Sequence, residues 1–154
     1  RFMLRESFSN RLKNALRAKD DAQVSTLRMI IAALKDKDIA ARSKGNYDGI
    51  PQEEILSLLQ GMIKQRRESI TLYEQGKRPE LVAKEQKEID IIADFLPQQM
   101  DDAAMTKAID QTVAKLGGAS IKDMGRIMAA LKEQYAGQMD FAAAGAQVKA
   151  RLAG

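Results

Sequence analysis

Apolar residues recur along this chain at intervals of three and four, the period of an amphipathic α-helix. The pattern is interrupted by glycine, proline and paired aspartates, which are common at helix ends. It predicts helices over residues 4–19, 21–42, 51–75, 79–96, 102–116, 121–135 and 141–152. No segment alternates with the period of two that marks a half-buried strand, so the predicted fold class is all-α.

Residues with capping chemistry support these bounds. Asp20 with Gln23, and Ser120 with Asp123, have the spacing of capping boxes at the starts of two helices. Gly137 suits a left-handed stop after the sixth helix, because glycine has no Cβ to clash in that conformation. These signals predict that the last two helices are joined by a tight turn.

A composition change near Pro97 predicts a domain boundary. A residue that precedes proline is disfavoured in the helical region, and the chain beyond this point becomes rich in alanine, methionine and glycine. We therefore predict an N-terminal helical bundle over residues 3–97 and a small C-terminal three-helix domain over residues 101–153.

Composition excludes several kinds of chemistry. The chain has no cysteine and no histidine, so Ser-His-Asp and Cys-His catalysis are excluded, and we expect no metal and no cofactor. The absence of disulfides leads us to expect a cytoplasmic protein. No apolar run approaches a membrane span, so no membrane contact is expected. Arg1 and Phe2 precede Met3 and are expected to lie outside the fold.

The formal net charge of +4 is a mild excess, so a basic surface must arise from folding. One group of cations lies at the end of the second helix and a second group in the C-terminal segment. The candidate nucleic-acid-binding residues are Lys35, Lys37, Arg42, Lys44, Lys122, Arg126, Lys132, Gln138, Lys149 and Arg151. The first group is equally consistent with cations that offset a helix dipole, and Lys64, Arg66 and Arg67 are predicted to be exposed on a solvated helix surface.

Several motifs, in order along the chain, resemble the YqeY family (GatB/YqeY). They are LRMIIAALKDKDIAARSKG at 27–45, MIKQRRES at 62–69, RPELVAKEQKEI at 78–89, FLPQQM at 95–100 and KDMGRIMAALKEQYAGQMDF at 122–141. That family is similar to the tail domain of the B subunit of tRNA-dependent amidotransferases, for aspartyl- and glutamyl-tRNA. The resemblance implies a two-part helical architecture.

The resemblance also implies a role without chemistry of its own. In the amidotransferase the tail contacts the tRNA body, and no part of this chain matches the catalytic part. A family label of carbon-nitrogen ligase with glutamine as amido-N-donor thus describes the parent enzyme. The tail's DMG helix corresponds to 123–125, and its turn to Gly137 and Asp140. Gln138 stands where a basic residue is usual after the turn glycine.

Four functional hypotheses follow. The first is an RNA-associating module, with tRNA as partner, that reads shape through phosphate contacts. Most aromatic side chains are predicted to be buried, which disfavours base stacking. The alternative is a protein-binding adaptor for an amidotransferase or an aminoacyl-tRNA synthetase, which predicts an exposed apolar patch on the C-terminal domain. The chain shows no paired nucleophile and base for an amide-transferring enzyme, and its last helix lacks the polar side chains that would read base edges in a DNA-binding helix-turn-helix.

The last helix has one unusual residue. Gly145 lies in its interior, where glycine costs about 1 kcal/mol relative to alanine. We expect another backbone to approach the helix at this position.

Overall fold

The structure is a computed structural model that describes residues 3–118 and 120–153. Within these residues all regular secondary structure is helical, which confirms the predicted all-α class. The elements are α1 (Leu4–Ala18), α2 (Asp21–Arg42), α3 (Gln52–Gln75), α4 (Pro79–Ala93), α5 (Asp102–Leu116), a 3₁₀ turn (Ile121–Asp123), α6 (Met124–Gln134) and α7 (Phe141–Ala153). Among the described residues, no helix is long and apolar enough to cross a bilayer.

The chain divides into two compact units, with the break between Leu96 and Pro97. Each unit has its own cluster of buried apolar side chains. That the units fold independently stays a prediction, together with the domain bounds 3–97 and 101–153, and a cooperative thermal transition of each unit expressed alone would test it.

The N-terminal unit contains α1 to α4. Helix α1 packs on α2, α3 packs on α4, and α2 contacts both α3 and α4. The core includes Phe8, Leu27, Ile30, Leu59 and Ile92, all of which are fully buried.

The chain that follows α4 is tied to α1 by aromatic and ionic contacts. Phe8 and Phe95 meet edge to face with 4.8 Å between ring centroids, and Arg11 lies 5.2 Å from the Phe95 centroid. Arg11 also pairs with Asp94 at 3.2 Å. Phe95 is thus buried although α4 ends at Ala93, two residues before it, whereas the apolar pattern had extended the helix to residue 96.

The C-terminal unit is a three-helix bundle. Its core is formed by α5, α6 and α7 around Ile109, Ile127, Leu131 and Val148. The predicted capping box is present, because the Ser120 side chain accepts from the Asp123 backbone and the Asp123 side chain accepts from Ser120 N. The first predicted turn of the sixth helix is a 3₁₀ turn, and Gly137 takes the expected left-handed conformation with φ 76°.

Two expectations from the sequence are wrong in detail. Leu16 has the spacing of the α1 core face but is 48% exposed, because it lies in the last turn beyond the buried Ala15. No backbone approaches Gly145; the atoms nearest to a Cβ built there are the methyl groups of Met128 at 3.8 Å and Met124 at 3.9 Å. Methionine ends fill the space that the missing side chain leaves.

Candidate nucleic-acid interface

The direction of the helices in the C-terminal unit decides which charges come together. Gln147 of α7 donates to Thr106 Oγ1 of α5 at 2.8 Å. Four residues further along each helix, Arg151 of α7 donates to Asp110 of α5. A constant offset between the two helices means that α5 and α7 run parallel, side by side. Gly118, which follows α5, has Leu152 of α7 and Ile127 of α6 as near neighbours. The start of α6 therefore lies at the end of the unit where α5 and α7 finish.

Cations collect at this end, which we call the basic end. It carries five cations and two carboxylates, a net charge of +3. Its charged residues are Asp110, Lys115, Lys122, Asp123, Arg126, Lys149 and Arg151. The five cations are exposed, and Arg151 pairs with Asp110.

Helix electrostatics explain part of this charge. Lys115 and Arg151 lie in the last turns of α5 and α7, where a cation offsets the negative end of the helix dipole. Lys122 and Arg126 lie instead at the start of α6, the positive end, where a cation is disfavoured by about 0.3–1 kcal/mol. Arg126 is compensated by Asp123 at 3.0 Å. Lys122 makes no ion pair with any described residue, so the stability of the fold does not account for it.

A glycine lies between these two cations. A Cβ built on Gly125 would have no atom within 4 Å, so no neighbour in the fold requires glycine at this exposed position. Glycine in a helix is less stable than alanine by roughly 0.5–1 kcal/mol. The backbone at the start of α6 is therefore open to close approach from outside the unit.

Two of the predicted site residues lie at the other end of the unit. Lys132 is ten residues beyond Lys122, and a helix rises about 15 Å over that length. Gln138 follows α6, and its carbonyl accepts from Met100 N at 2.8 Å, next to the start of α5. This end also holds Asp101, Asp102 and Asp140, which lie at the starts of α5 and α7. The structure thus separates Lys132 and Gln138 from the basic end.

The N-terminal set of candidate cations is also divided. Lys35, Lys37, Arg42 and Lys44 are all exposed. Lys37 and Lys44 line an open cavity of about 730 Å³ between α2 and α3. Lys35 and Arg42 are not among the residues that line it.

A hydrogen-bonded network that the sequence did not reveal fixes the α2–α3 loop. Arg5 binds Asp38 through two bonds of 2.7 and 2.9 Å, Asp38 Oδ1 accepts from Ile50 N at 2.9 Å, and Arg5 donates to Ile50 O at 3.0 Å. The bond from Arg5 holds the pKa of Asp38 below its usual value, and the same bond raises the pKa of Arg5. The partners are 33 residues apart in sequence, so no local pattern could have shown the pair.

Arg66 was predicted to be exposed and is not. Its side chain is 11% exposed and pairs with Glu88, 13% exposed, at 2.9 Å. Lys64 and Arg67 are exposed as expected. Burial raises the pKa of the neighbouring Glu85, and the negative charge of Glu88 adds to this effect. Arg66 has the three- and four-residue spacing of the apolar face of α3, so the prediction of exposure followed its charge and not its spacing, and α4 packs over it.

Fold and site together define a helical module whose candidate site is a charged surface. The chain belongs to the YqeY family, since the model of that family, described as Yqey-like protein, matches residues 5–152. Relatives from yeasts are named "Altered inheritance of mitochondria protein 41, mitochondrial". The Saccharomyces cerevisiae strain YJM789 relative is 33% identical over 130 residues, which are 84% of this chain and 66% of the relative.

Two further relatives of the same name agree. The Lachancea thermotolerans protein is 35% identical over 105 residues, covering 68% of this chain and 53% of its own length. The Vanderwaltozyma polyspora protein is 29% identical over 120 residues, covering 73% and 62%. The chain thus spans between about half and two thirds of these relatives.

The expected cytoplasmic localisation is wrong by this comparison. The relatives that the chain matches are named as mitochondrial proteins. The expectation failed because the absence of cysteine excludes disulfides but does not distinguish one cellular compartment from another.

Proposed function

We propose that this protein is a non-catalytic module that binds folded RNA, with tRNA as its partner, through phosphate contacts at the basic end. The observation that carries the proposal is Lys122, an exposed cation at the positive end of α6 with no ion pair among the described residues. A phosphate supplies the missing negative charge and is itself attracted to a helix N-terminus.

Gly125 and Arg126 complete the proposed contact. Gly125 lets a phosphate oxygen approach the α6 backbone without meeting a side chain. Arg126 lies one turn beyond Lys122 and already holds a carboxylate oxygen at 3.0 Å, a geometry that suits a phosphate oxygen equally well. Contacts of this kind position a folded RNA by its shape and carry no base sequence.

The resemblance to the amidotransferase tail supports the same role. In that enzyme the tail contacts tRNA while a different part of the subunit carries out the chemistry. We propose that this chain has no amide-transferring activity alone, and that the carbon-nitrogen ligase label belongs to the enzyme that the tail serves.

The basic end can be tested against the opposite end of the same unit. Lys122→Ala with Arg126→Ala should weaken binding of bulk tRNA by at least about tenfold, since two charge-assisted contacts are lost. Lys132→Ala is the matched control and should bind as the wild type does. Fluorescence anisotropy with labelled tRNA measures both. Equal loss in Lys132→Ala would show that net charge alone drives binding, and an unchanged double variant would exclude the basic end.

A second candidate function is favoured by the cavity between α2 and α3. The protein-adaptor alternative predicted an apolar patch on the C-terminal unit. Among the described residues of that unit, Ile121 is the single large apolar residue that is exposed, so no such patch is found there. The cavity of about 730 Å³ lies in the N-terminal unit, and Gly61 is one of the residues that line it. A Cβ built on Gly61 would have no atom within 4 Å. A groove between two helices suits an amphipathic helix of a partner protein.

The adaptor function predicts complex formation that salt does not weaken. A purified tRNA amidotransferase or aminoacyl-tRNA synthetase should co-elute with the wild-type chain in gel filtration. Gly61→Leu, which places a branched side chain inside the cavity, should abolish co-elution, and Gly125→Leu should not. Co-elution that survives Gly61→Leu would exclude the cavity as the docking site.

A further inference from the structure

Tyr47 projects from the α2–α3 loop without a structural partner. It is 75% exposed, the most exposed large apolar side chain among the described residues, whereas Tyr73 and Tyr135 are half-buried. It belongs to neither core cluster. Only two of the six described aromatic residues are buried, so the expectation that most of them are buried is wrong, and Phe2 lies outside the described residues.

Hydrogen bonds of Asn46 order the loop backbone that carries Tyr47. Asn46 N donates to Ala41 O at 3.0 Å, which joins the loop to the last turn of α2. The Asn46 side chain accepts from Asp48 N at 3.0 Å and donates to Gly49 O at 3.1 Å. The backbone is therefore fixed on both sides of Tyr47. A side chain carried on an ordered backbone leaves less conformational freedom to be lost when a partner covers it.

The charges beside Tyr47 indicate the kind of partner. Arg42 and Lys44 are exposed, and Asp48 is the one acidic residue in the segment 42–50. Asp38, the nearest acid on α2, is held by Arg5 and Ile50. An exposed aromatic ring flanked by cations is the arrangement that binds single-stranded nucleic acid, where bases stack and phosphates meet cations.

We infer that Tyr47 is a stacking platform for an unpaired RNA base, with Lys44 and Arg42 contacting the adjoining phosphates. The inference rests on the proposed RNA function and adds a second contact, in the N-terminal unit, to the phosphate contacts of the basic end. The partner is then an RNA that offers both a folded body and an unpaired nucleotide.

Two labelled RNAs test the inference with the full chain. One is a single-stranded uridine oligonucleotide of about 12 nucleotides, which is within the usual site size, and the other is a duplex of the same length. Tyr47→Ala should weaken binding to the single strand by about 5- to 150-fold, the value of one stacked base, and leave duplex binding unchanged. Tyr47→Phe keeps the ring and should bind as the wild type does. Leu72→Ala removes another exposed apolar side chain, 66% exposed, and should have no effect.

Four other results would each contradict the inference. Unchanged single-strand binding by Tyr47→Ala would overturn the inference and leave the basic end to be judged by Lys122→Ala with Arg126→Ala on tRNA. Equal losses in Tyr47→Ala and Tyr47→Phe would assign the effect to the hydroxyl and overturn stacking. Equal losses on single strand and duplex would overturn recognition of an unpaired base. Binding of neither the two probes nor tRNA would overturn the proposed function as well.

Discussion

Asp38 shows at the scale of one residue how a carboxylate orders a loop. Its oxygens accept from Arg5 and from Ile50 N, and the bond from Arg5 is the largest cause of its lowered pKa. A folded-state pKa below the unfolded value stabilises the protein above the unfolded pKa, about 3.9, and this stability is lost as pH falls through the folded pKa.

We predict that Asp38→Asn lowers the free energy of unfolding at pH 7 by about 1–3 kcal/mol, because a charge-assisted pair is broken and Arg5 loses its partner. The difference from wild type should begin to shrink as the pH falls below about 4, where Asp38 of the unfolded wild type binds a proton, and should vanish below the lower folded-state pKa. Urea denaturation of both proteins across pH measures this. If the free energies of unfolding of Asp38→Asn and wild type differed by a constant amount down to the folded-state pKa of Asp38, the lowered pKa of Asp38 would be contradicted.

Thr26 presents the opposite case, a polar atom without a partner. The residue is 1% exposed, and its hydroxyl makes no hydrogen bond with any described residue. Thr26→Val replaces the hydroxyl by a methyl group of similar shape and should raise the free energy of unfolding by about 1 kcal/mol. Thr26→Ser keeps the hydroxyl, loses the methyl and should be less stable than wild type. A Thr26→Val protein with a lower urea midpoint would show that the hydroxyl is satisfied in solution.

At the scale of the elements, α6 combines a stability cost with the proposed function. Gly125→Ala should stabilise the protein by about 0.5–1 kcal/mol, because the added Cβ meets no atom and the unfolded chain loses freedom. The same methyl group should weaken tRNA binding, since it lies where a phosphate would approach α6.

Gly61→Ala on α3 is the matched control. Its Cβ also has no atom within 4 Å, so the gain in thermal stability should be similar, but tRNA binding should not change. Equal tRNA affinity in the two variants and the wild type would argue against close approach at Gly125.

Helix bounds were largely predictable because they depend on local chemistry. The end of α2 at Arg42, the end of α3 at Gln75 and both ends of α5 lie where apolar period and capping residues placed them. Only half of the capping box predicted at Asp20 is present: its side chain accepts from Gln23 N at 3.2 Å, but Asp20 N donates to Ala15 O and not to the Gln23 side chain. The 3₁₀ turn before α6 was not predictable, since its spacing differs little from that of an α-helix over three residues.

Side-chain partners over long sequence distances were not predictable. Arg66 has the spacing of the apolar face of α3, but only the position of α4 brings Glu88 to it. The hydrogen bonds of Arg5 could not be predicted from the sequence for the same reason, since its partner Asp38 is 33 residues away. The candidate cations were found from composition and motif, but their division between the two ends of the C-terminal unit depends on the parallel packing of α5 and α7.

At the scale of the whole molecule, a mild net charge of +4 conceals a strong local one. The up-down-up order of α5, α6 and α7 puts five cations and two carboxylates at the basic end, and the acidic residues at the starts of α5 and α7 lie at the other. This separation distinguishes a phosphate-binding surface from a scatter of solvated charges. The proposed function therefore requires RNA binding that is electrostatic and confined to the basic end.

Binding of the wild-type chain to bulk tRNA across a salt titration tests that claim most directly. We predict saturable binding at about 50 mM salt that weakens linearly in log affinity against log salt up to about 200 mM. The slope should become shallower by about one for each phosphate contact removed in Lys122→Ala with Arg126→Ala. Absence of binding at the lowest salt, or binding whose affinity does not change with salt, would contradict the account.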